Sequence, residues 1–420
     1  MVSSQIENQP FSAIYLLKKT YHRCSFSLNY SLFGKNSERI SLKRVLLLFF
    51  VFGFSILSYS QNDSITKPKL KVDLGGALRY NYNNSTWKPN QQKRGGDFGF
   101  EVFRINVDAA YGPMEIHIDQ RFYSGAFGGA FLKYGWVQYN LNKKSHLKLG
   151  LIPGYFGPQQ FNSHSWFFQL PFYLGFEDDH DMGISYDYED DRIKLDIGFY
   201  KNAEALTLSD NNPVSPNRYS YDFSGRNKEV NQFNIRFNYK LGEKAKHLLG
   251  TSLQYGGIWN IDTQDVGNHS ALGLHYQLDY KRWNLQTQFI TYNNKPKNAE
   301  GESREFLEQA AYNFPYNTAA KASMYSIGLA YTIPVNRGRF QSIQLYNDYT
   351  YMDKSIATWE DTQMNILGAL ISIKPLYIYV DYASGRNQPW LTPNSTDALT
   401  TGDGTGEWHH RLNVNFGLYF

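Results

Sequence analysis

Residues 146–188 read HLKLGLIPGYFGPQQFNSHSWFFQLPFYLGFEDDHDMGISYDY, and the two ends of this run decide the fold. At one end Leu147, Leu149 and Leu151 alternate with His146, Lys148 and Gly150; at the other Met182, Ile184, Tyr186 and Tyr188 alternate with Asp181, Gly183, Ser185 and Asp187. Successive side chains of a strand point to opposite faces, so both ends predict strands with one apolar and one polar face. Between them lies 152–180, rich in aromatics, Gly, Pro and Gln and closing on Glu177, Asp178 and Asp179. The run predicts two barrel strands holding a loop that folds inward.

Outward from this run, the period of two continues over most of the chain beyond residue 70. Sixteen alternating segments are predicted, at 70–82, 98–111, 114–123, 131–141, 146–151, 181–188, 192–201, 230–241, 247–260, 269–280, 283–292, 322–333, 340–351, 362–373, 376–383 and 409–420. The connections between them alternate strictly. Short ones, such as Glu189-Asp190-Asp191, Lys281-Arg282 and Lys374-Pro375, are interleaved with mostly longer ones at 83–97, 124–130, 152–180, 202–229, 261–268, 293–321, 352–361 and 384–408. A transmembrane antiparallel β-barrel of the outer membrane has this asymmetry, with short periplasmic turns and longer extracellular loops, and an even strand number leaves both termini periplasmic. A soluble sandwich has no reason to alternate. Within the loops, 303–311 is predicted as a short helix.

Composition agrees with this class. Aromatics reach 17%, with 33 Tyr and 29 Phe, against only 19% charged residues, and transmembrane barrels use aromatics in girdles at both interfaces. The formal charge of +4 belongs to the first part of the chain. There Lys43 and Arg44 introduce an apolar run, 45–57, followed by Ser58-Tyr59-Ser60, which predicts a secretory signal peptide at 43–60 and Gln61 as the first mature residue. The run is shorter than the roughly 20 residues a membrane-spanning helix needs. Residues 1–42 are assigned no fold, 61–69 are predicted as a short periplasmic segment, and 70–420 as the barrel. Residues 1–60 hold seven Lys or Arg and two Glu, leaving 35 positive against 36 negative groups, about −1, in the remainder. That balance gives no support to nucleic-acid binding. Cys24, the single cysteine, precedes the apolar run, so neither a disulfide framework nor a lipid-anchored cysteine is indicated.

Parity also says which face looks inward. On 114–123, Met114, Ile116, Ile118 and Phe122 oppose Glu115, His117, Asp119 and Arg121; on 230–241, Phe233, Ile235, Phe237, Tyr239 and Leu241 oppose Gln232, Asn234, Arg236, Asn238 and Lys240. A basic side chain facing lipid at the bilayer midplane costs roughly 2 to 4 kcal/mol, so the charged faces are predicted to line a lumen. By this rule Arg79, Arg104, Asp108, Glu115, Asp119, Arg121, Lys148, Lys194, Asp196, Arg236 and Asp279 are channel-lining. Sixteen strands enclose a water-filled channel rather than a core of side chains. The last segment, RLNVNFGLYF, ends on Phe420 with Leu412, Val414, Phe416 and Leu418 on the same face. It resembles the terminal strand of Gram-negative outer-membrane proteins, which implies recognition by the barrel assembly machinery.

The run FEVFRINVDAAYGPMEIHIDQRF, followed by FLKYGWVQYNL, LKLGLIPGYFGPQQF and DMGISY, is similar to the phosphate-selective porin O and P family. The likeness rests on a Gly-x-x-x-x-x-Phe-Gly element at 150–157 and a strand opening Asp-x-Gly at 181–183, and it covers roughly 100–200. It implies a sixteen-stranded channel, often a homotrimer, whose third extracellular loop narrows the lumen. The constriction residues would then be Tyr155, Phe156, Gln159, Gln160, His164, Trp166, Glu177, Asp178, Asp179 and His180. Phosphate-selective members use Arg and Lys there, whereas 152–180 contains neither, so the sign of ion selectivity stays open. The loop aromatics Tyr155, Phe156, Trp166, Phe167, Phe168, Phe172 and Tyr173 either stack on sugar faces, with Gln159, Gln160 and Asn162 bonding hydroxyls, or pin the loop to the inner wall.

The remaining motifs carry less. Residues 177–181 are read as an acidic loop end in preference to a calcium site of oxygen ligands. The glycine-rich 402–406 leads into a strand rather than a helix and lacks the setting of a phosphate cradle. His409 and His410 face opposite sides of a strand, against a joint metal site. No nucleophile, base and orienting group stand together, and no catalytic, metal or cofactor site is predicted. The expected function is passive diffusion of small hydrophilic solutes across an outer membrane, in contact with its lipid. The alternative is a closed barrel serving adhesion or assembly through loops 202–229 and 293–321.

Overall fold

Alternation of apolar and polar residues becomes geometry in strands that hydrogen-bond side by side until the last meets the first. The computed structural model describes residues 68–158, 161–204 and 212–420; the predicted signal peptide, nearly all of 61–69, and Gln159 and Gln160 lie outside these. In chain order the strands are β1 (Lys71–Ser85), β2 (Asp97–Tyr111), β3 (Met114–Tyr123), β4 (Ala130–Asn140), β5 (Ser145–Pro153), β6 (His180–Glu189), β7 (Ile193–Asn202), β8 (Asp222–Phe223), β9 (Asn227–Leu241) and β10 (Ala245–Asn260). They continue with β11 (Val266–Tyr280), β12 (Trp283–Lys295), β13 (Phe306–Ala311), β14 (Phe314–Ala319), β15 (Lys321–Arg337), β16 (Phe340–Lys354), β17 (Thr362–Ile373), β18 (Leu376–Arg386) and β19 (His409–Tyr419). All but β8, β13 and β14 form one closed antiparallel barrel of sixteen strands, each paired with its neighbours in chain order. Every one of the sixteen predicted segments is a barrel strand, and most strands run a few residues further into the long loops.

The seam joins β1 to β19, from Ala77 opposite Tyr419 to Ser85 opposite Arg411. Phe420 extends it: Gly76 N donates to Phe420 O at 2.8 Å, and Phe420 N donates to Gly76 O at 3.1 Å. Closure leaves no edge strand with unpaired amides, the condition for crossing a membrane as sheet.

The barrel is inside out relative to a soluble protein. On β9, Phe233 is 43% exposed while Asn234 beside it is 1% exposed; Phe237, Tyr239 and Leu241 are exposed in the same way, and Gln232, Arg236 and Asn238 are buried. Large apolar side chains that cover the outside of a closed sheet, with polar ones within, suit a lipid surround.

The inner surface is not polar all round. Ile290 of β12, Met324 of β15, Met352 of β16 and Met364 and Ile366 of β17 point inward, are fully buried, and form one apolar cluster with Phe156, Phe167, Leu170, Phe172 and Phe176 of loop 154–179. One wall therefore provides a surface on which an aromatic loop can shed water, at about 25 cal/mol for each Å² of apolar area covered.

The helix predicted at 303–311 is not formed. Phe306–Ala311 is instead β13, paired with β14 and, at Gln309 and Ala310, with β8. Leu, Glu, Gln and Ala favour a helix when alone, but the next two residues, Tyr312 and Asn313, both adopt left-handed φ, of 54° and 60°. That two-residue turn matches the twist of an antiparallel hairpin, and pairing with β14 and β8 satisfies the amides on both sides of β13. The resulting small sheet joins loops 203–226 and 296–320.

Candidate functional site

Loop 154–179 leaves β5 and crosses to strands well separated from it in the barrel. Just past β5, Tyr155 is buried; its amide donates to Tyr200 Oη at 3.1 Å, and its own hydroxyl lies 3.1 Å from Lys148 Nζ and 3.2 Å from Ser185 Oγ. Phe156 then lies against Gly273 of β11, where a Cβ would approach the ring to 2.9 Å. Gly157, at a φ of +64°, turns the chain so that its amide donates to Ser252 Oγ of β10 at 3.0 Å. A side chain at this position would be strained by the left-handed φ and would run into Gln288 Nε2.

The far end of the crossing is tethered by carboxylates on the opposite wall. Asp348 of β16 accepts from the amides of His164 at 2.7 Å and Ser165 at 2.9 Å, and its other oxygen lies 2.8 Å from His164 Nδ1. His164 Nε2 lies 2.6 Å from Asn284 Oδ1. Burial opposes a charge on this imidazole, but the hydrogen bond and charge of Asp348 outweigh it and hold its pKa above the ordinary value. Asp381 of β18 accepts from Trp166 N at 3.2 Å. The Arg79 guanidinium stacks over the Trp166 ring, 4.3 Å from its centroid.

Against the other wall a cavity of about 730 Å³ remains. Its basic lining consists of Arg79 (β1), Arg104 (β2), Arg121 (β3), Lys133 (β4), Arg236 (β9) and Arg411 (β19). Its acidic lining consists of Glu101, Asp119, Glu177, Asp178 and Asp179. Several of these charges are matched: Arg79 with Glu101 at 2.7 Å, Arg121 with Asp119 at 3.0 Å, Lys133 with Asp178 at 2.5 Å and Arg236 with Asp196 at 2.8 Å. Among the described residues, Arg104 and Arg411 form no ion pair. Arg104 lies over the Tyr419 ring at 5.3 Å, and Arg411 lies over Trp87 at 4.9 Å with its Nε donating to Ser85 Oγ at 2.9 Å.

The acidic loop end does not act as a block of three negative charges. Burial is the main force on Glu177 and pushes its carboxyl up to about 8; the nearby Asn162 backbone amide opposes the rise, and the charges of Asp178 and Asp348 add to it. Burial also works against Asp178, but Lys133 outweighs it and holds that carboxyl below the usual range; Tyr219 Oη donates to it at 2.8 Å. Asp179 turns away toward Asp222 and is raised well above the usual range by burial and then by Asp222 and Glu204.

The predicted residues therefore separate into two groups. Arg79, Arg104, Asp119, Arg121 and Arg236 meet around the cavity together with Tyr155's neighbour Phe156, His164, Trp166, Glu177, Asp178, Asp179 and His180. Asp108, Glu115, Lys148, Lys194, Asp196 and Asp279 stand elsewhere, bonded to partners of their own. His117 joins Asp108 at 2.6 Å and Glu115 at 3.2 Å, Lys148 pairs with Asp187, Lys194 with Glu189 at 3.0 Å, and Asn284 donates to Asp279 at 2.6 Å. The loop aromatics Phe156, Trp166, Phe167, Phe168, Phe172 and Tyr173 all border the cavity; Phe156, Phe167, Phe172 and Tyr173 are buried, Trp166 and Phe168 less so.

Glu101 and Lys133, both absent from the predicted set, share a cause. Arg79 opposes Val102 and Tyr80 opposes Phe100, which leaves Glu101 as an extra residue in β2; likewise Asp119 opposes Tyr134 and Gln120 opposes Leu132, leaving Lys133 extra in β4. A bulge of this kind resets the alternation, so a strand changes which parity faces inward. Arg411 could have been found, since it alternates with the outward Leu412 on an unbroken strand.

No family model matches the chain, and no curated protein does. Solved structures do resemble it. The outer membrane channel DcaP of Acinetobacter baumannii aligns over 86% of this chain and 100% of its own, with a TM-score of 0.53 and 12% identity. An anion-selective porin from Comamonas acidovorans aligns over 84% and 100%, with a TM-score of 0.52 and 14% identity. OmpT, an outer-membrane protein of Vibrio cholerae, aligns over 85% and 100%, with a TM-score of 0.51 and 11% identity. At such identities the likeness is one of architecture, and the resemblance of 100–200 to phosphate-selective porins finds no family match behind it. The chain thus shares with these outer-membrane proteins the closed sixteen-stranded antiparallel barrel.

Proposed function

We propose that this protein is an outer-membrane porin passing small hydrophilic solutes, that loop 154–179 narrows its lumen, and that the narrowed region prefers anions. The observation that carries the reading is the pairing of an apolar exterior with an interior cavity bordered by six basic side chains, two of them without an ion-pair partner among the described residues. Rings of cationic side chains at a constriction favour anions. The Lys and Arg missing from the loop are supplied by the wall it faces. Two structural neighbours, an outer membrane channel and an anion-selective porin, accord with this reading. Contact with outer-membrane lipid, periplasmic termini, homotrimer formation and recognition of the Phe420 strand by the assembly machinery belong to the same proposal.

The test is reconstitution of the purified protein in a planar bilayer under a salt gradient. Stepwise conductance with a reversal potential of anionic sign is expected, and Arg104→Ala with Arg411→Ala should move it toward the cationic side. A barrel that never conducts would defeat the proposal. A second reading, a closed barrel presenting a surface for adhesion or assembly, draws on the sheet of β8, β13 and β14, which ties two long loops together. An electrically silent protein that still captures a partner through those loops would favour it.

A further inference from the structure

We propose that Asp179, Asp181 and Asp222 form a calcium site that fastens the return of loop 154–179 to loop 203–226. Asp179 and Asp181 are two residues apart at the opening of β6, so an extended backbone sends both to one side. Asp222 comes from β8 and is held in place by pairing with Ala310 of β13. One carboxylate oxygen from each of the three lies within 4.8 Å of the others. All three are withdrawn from solvent, with 6%, 1% and 2% exposure, and Oδ1 of both Asp179 and Asp181 has no hydrogen-bond partner among the described residues. A buried carboxylate oxygen left without a partner is costly unless something positive reaches it.

The surroundings make the deficit larger. Glu204 and Glu229 add their charges to the same cluster, and among the described residues Arg218 is the cation that enters it, bonded to Glu204 and Asp222 with a further bond from Nη1 to Phe223 O at 3.1 Å. Residues 205–211, which fall outside the described set, include no Lys, Arg or His. Among the described residues, five carboxylates thus share one guanidinium. A donor set of carboxylate oxygens, without sulfur or imidazole, suits a hard cation and disfavours zinc. Calcium fits better than magnesium, because it accepts irregular oxygen cages and gives up its water more readily. The His180 ring is turned elsewhere, with Nδ1 3.0 Å from Asp178 O. The ion would sit at the acidic end of the loop. It would brace Asp178, next to Asp179 in sequence, against Lys133, and its binding does not depend on whether the barrel conducts.

The full chain, folded in detergent and stripped with a chelator, is titrated with Ca²⁺ by calorimetry and with Tb³⁺ by luminescence sensitised through nearby tyrosines. One ion per chain is expected, with a rise in melting temperature on adding Ca²⁺. Asp181→Asn and Asp222→Asn, each verified as folded by heat-modifiable migration, should bind roughly tenfold more weakly or worse and lose the melting response; Asp265→Asn, an exposed carboxylate elsewhere, should behave as wild type. If one variant fails to fold, the other and Asp179→Asn carry the comparison. Wild-type protein that takes up no Ca²⁺ at millimolar concentration would overturn the site in favour of shared protons. Folded Asp181→Asn and Asp222→Asn proteins that bind as wild type would overturn it as well.

Discussion

The two sides of the barrel interior solve different problems with the same strand geometry. The wall from β12 to β18 presents Ile290, Met324, Met352, Met364 and Ile366 inward and grips an aromatic loop. The wall made by β1 to β4 with β9 and β19 presents Arg79, Arg104, Arg121, Lys133, Arg236 and Arg411 and remains open as a cavity. An apolar inner face excludes water only when another apolar surface covers it, whereas a charged inner face has to stay hydrated or be matched. The loop is therefore drawn to one side, and space is left on the other. What could be mistaken for a partly plugged barrel is an asymmetric one, and the asymmetry sets where the interior stays open.

The largest expected effect comes from loosening the gripping wall. Phe156→Ala removes a buried ring that packs on Gly273 and Phe176 and should cost about 3 to 5 kcal/mol in unfolding free energy, measured by denaturant titration in detergent; a loss below about 1 kcal/mol would mean that the loop is not held by its aromatics. Next is the polar tether on the same wall. Asp348→Asn removes the charge that binds His164 and two loop amides and should cost about 1.5 to 3 kcal/mol, with faster cleavage within 154–179 under limited proteolysis. If cleavage is unchanged, the tether is dispensable.

The same tether should respond to pH. The His164 pKa is raised in the fold, so its contribution is fully present below the unfolded value of about 6.5 and is lost as pH rises through the higher folded value. The melting temperature of wild type should fall from pH 6 toward pH 9 by more than that of Asp348→Asn; parallel curves would remove His164 from the account. The smallest stability effect belongs to the open wall. Arg104→Ala and Arg411→Ala break no ion pair among the described residues and should each change stability by less than about 1 kcal/mol, yet both should reduce anion preference in the bilayer measurement. Large destabilisation without a selectivity change would make these arginines part of the scaffold, and the contrast between the walls would fail.

How much of this could be read from the chain depends on where its period of two runs unbroken. On β3, β9 and β17 the alternation placed strand limits within a few residues and, for β3 and β9, the inward charges too. It misled where the backbone gains a residue, at Glu101 and Lys133, because a bulge reverses parity without any mark in composition. It was ambiguous on β17, where both faces carry apolar residues: Leu367 is 59% exposed while Ile366 is fully buried. Nothing local distinguishes a leucine that meets lipid from an isoleucine that meets a folded loop. The helix expected at 303–311 failed for a related reason, since its strand pairing depends on β8, from another loop far away in sequence.

Loop 154–179 shows the division most clearly. Its position between two strands, its aromatic content and its acidic end were all evident from residues 146–188. Its three adjacent acids nonetheless have three different surroundings: Glu177 is buried near Asp348, Asp178 pairs with Lys133, and Asp179 turns to Asp222. By itself the sequence determined a barrel of sixteen strands with alternating long and short connections, because period-two patterning and turn spacing are local properties. Only the tertiary structure decided which wall holds the loop, which charges are matched and where the carboxylates gather. Those outcomes depend on residues that closure brings together from strands and loops distant in the chain.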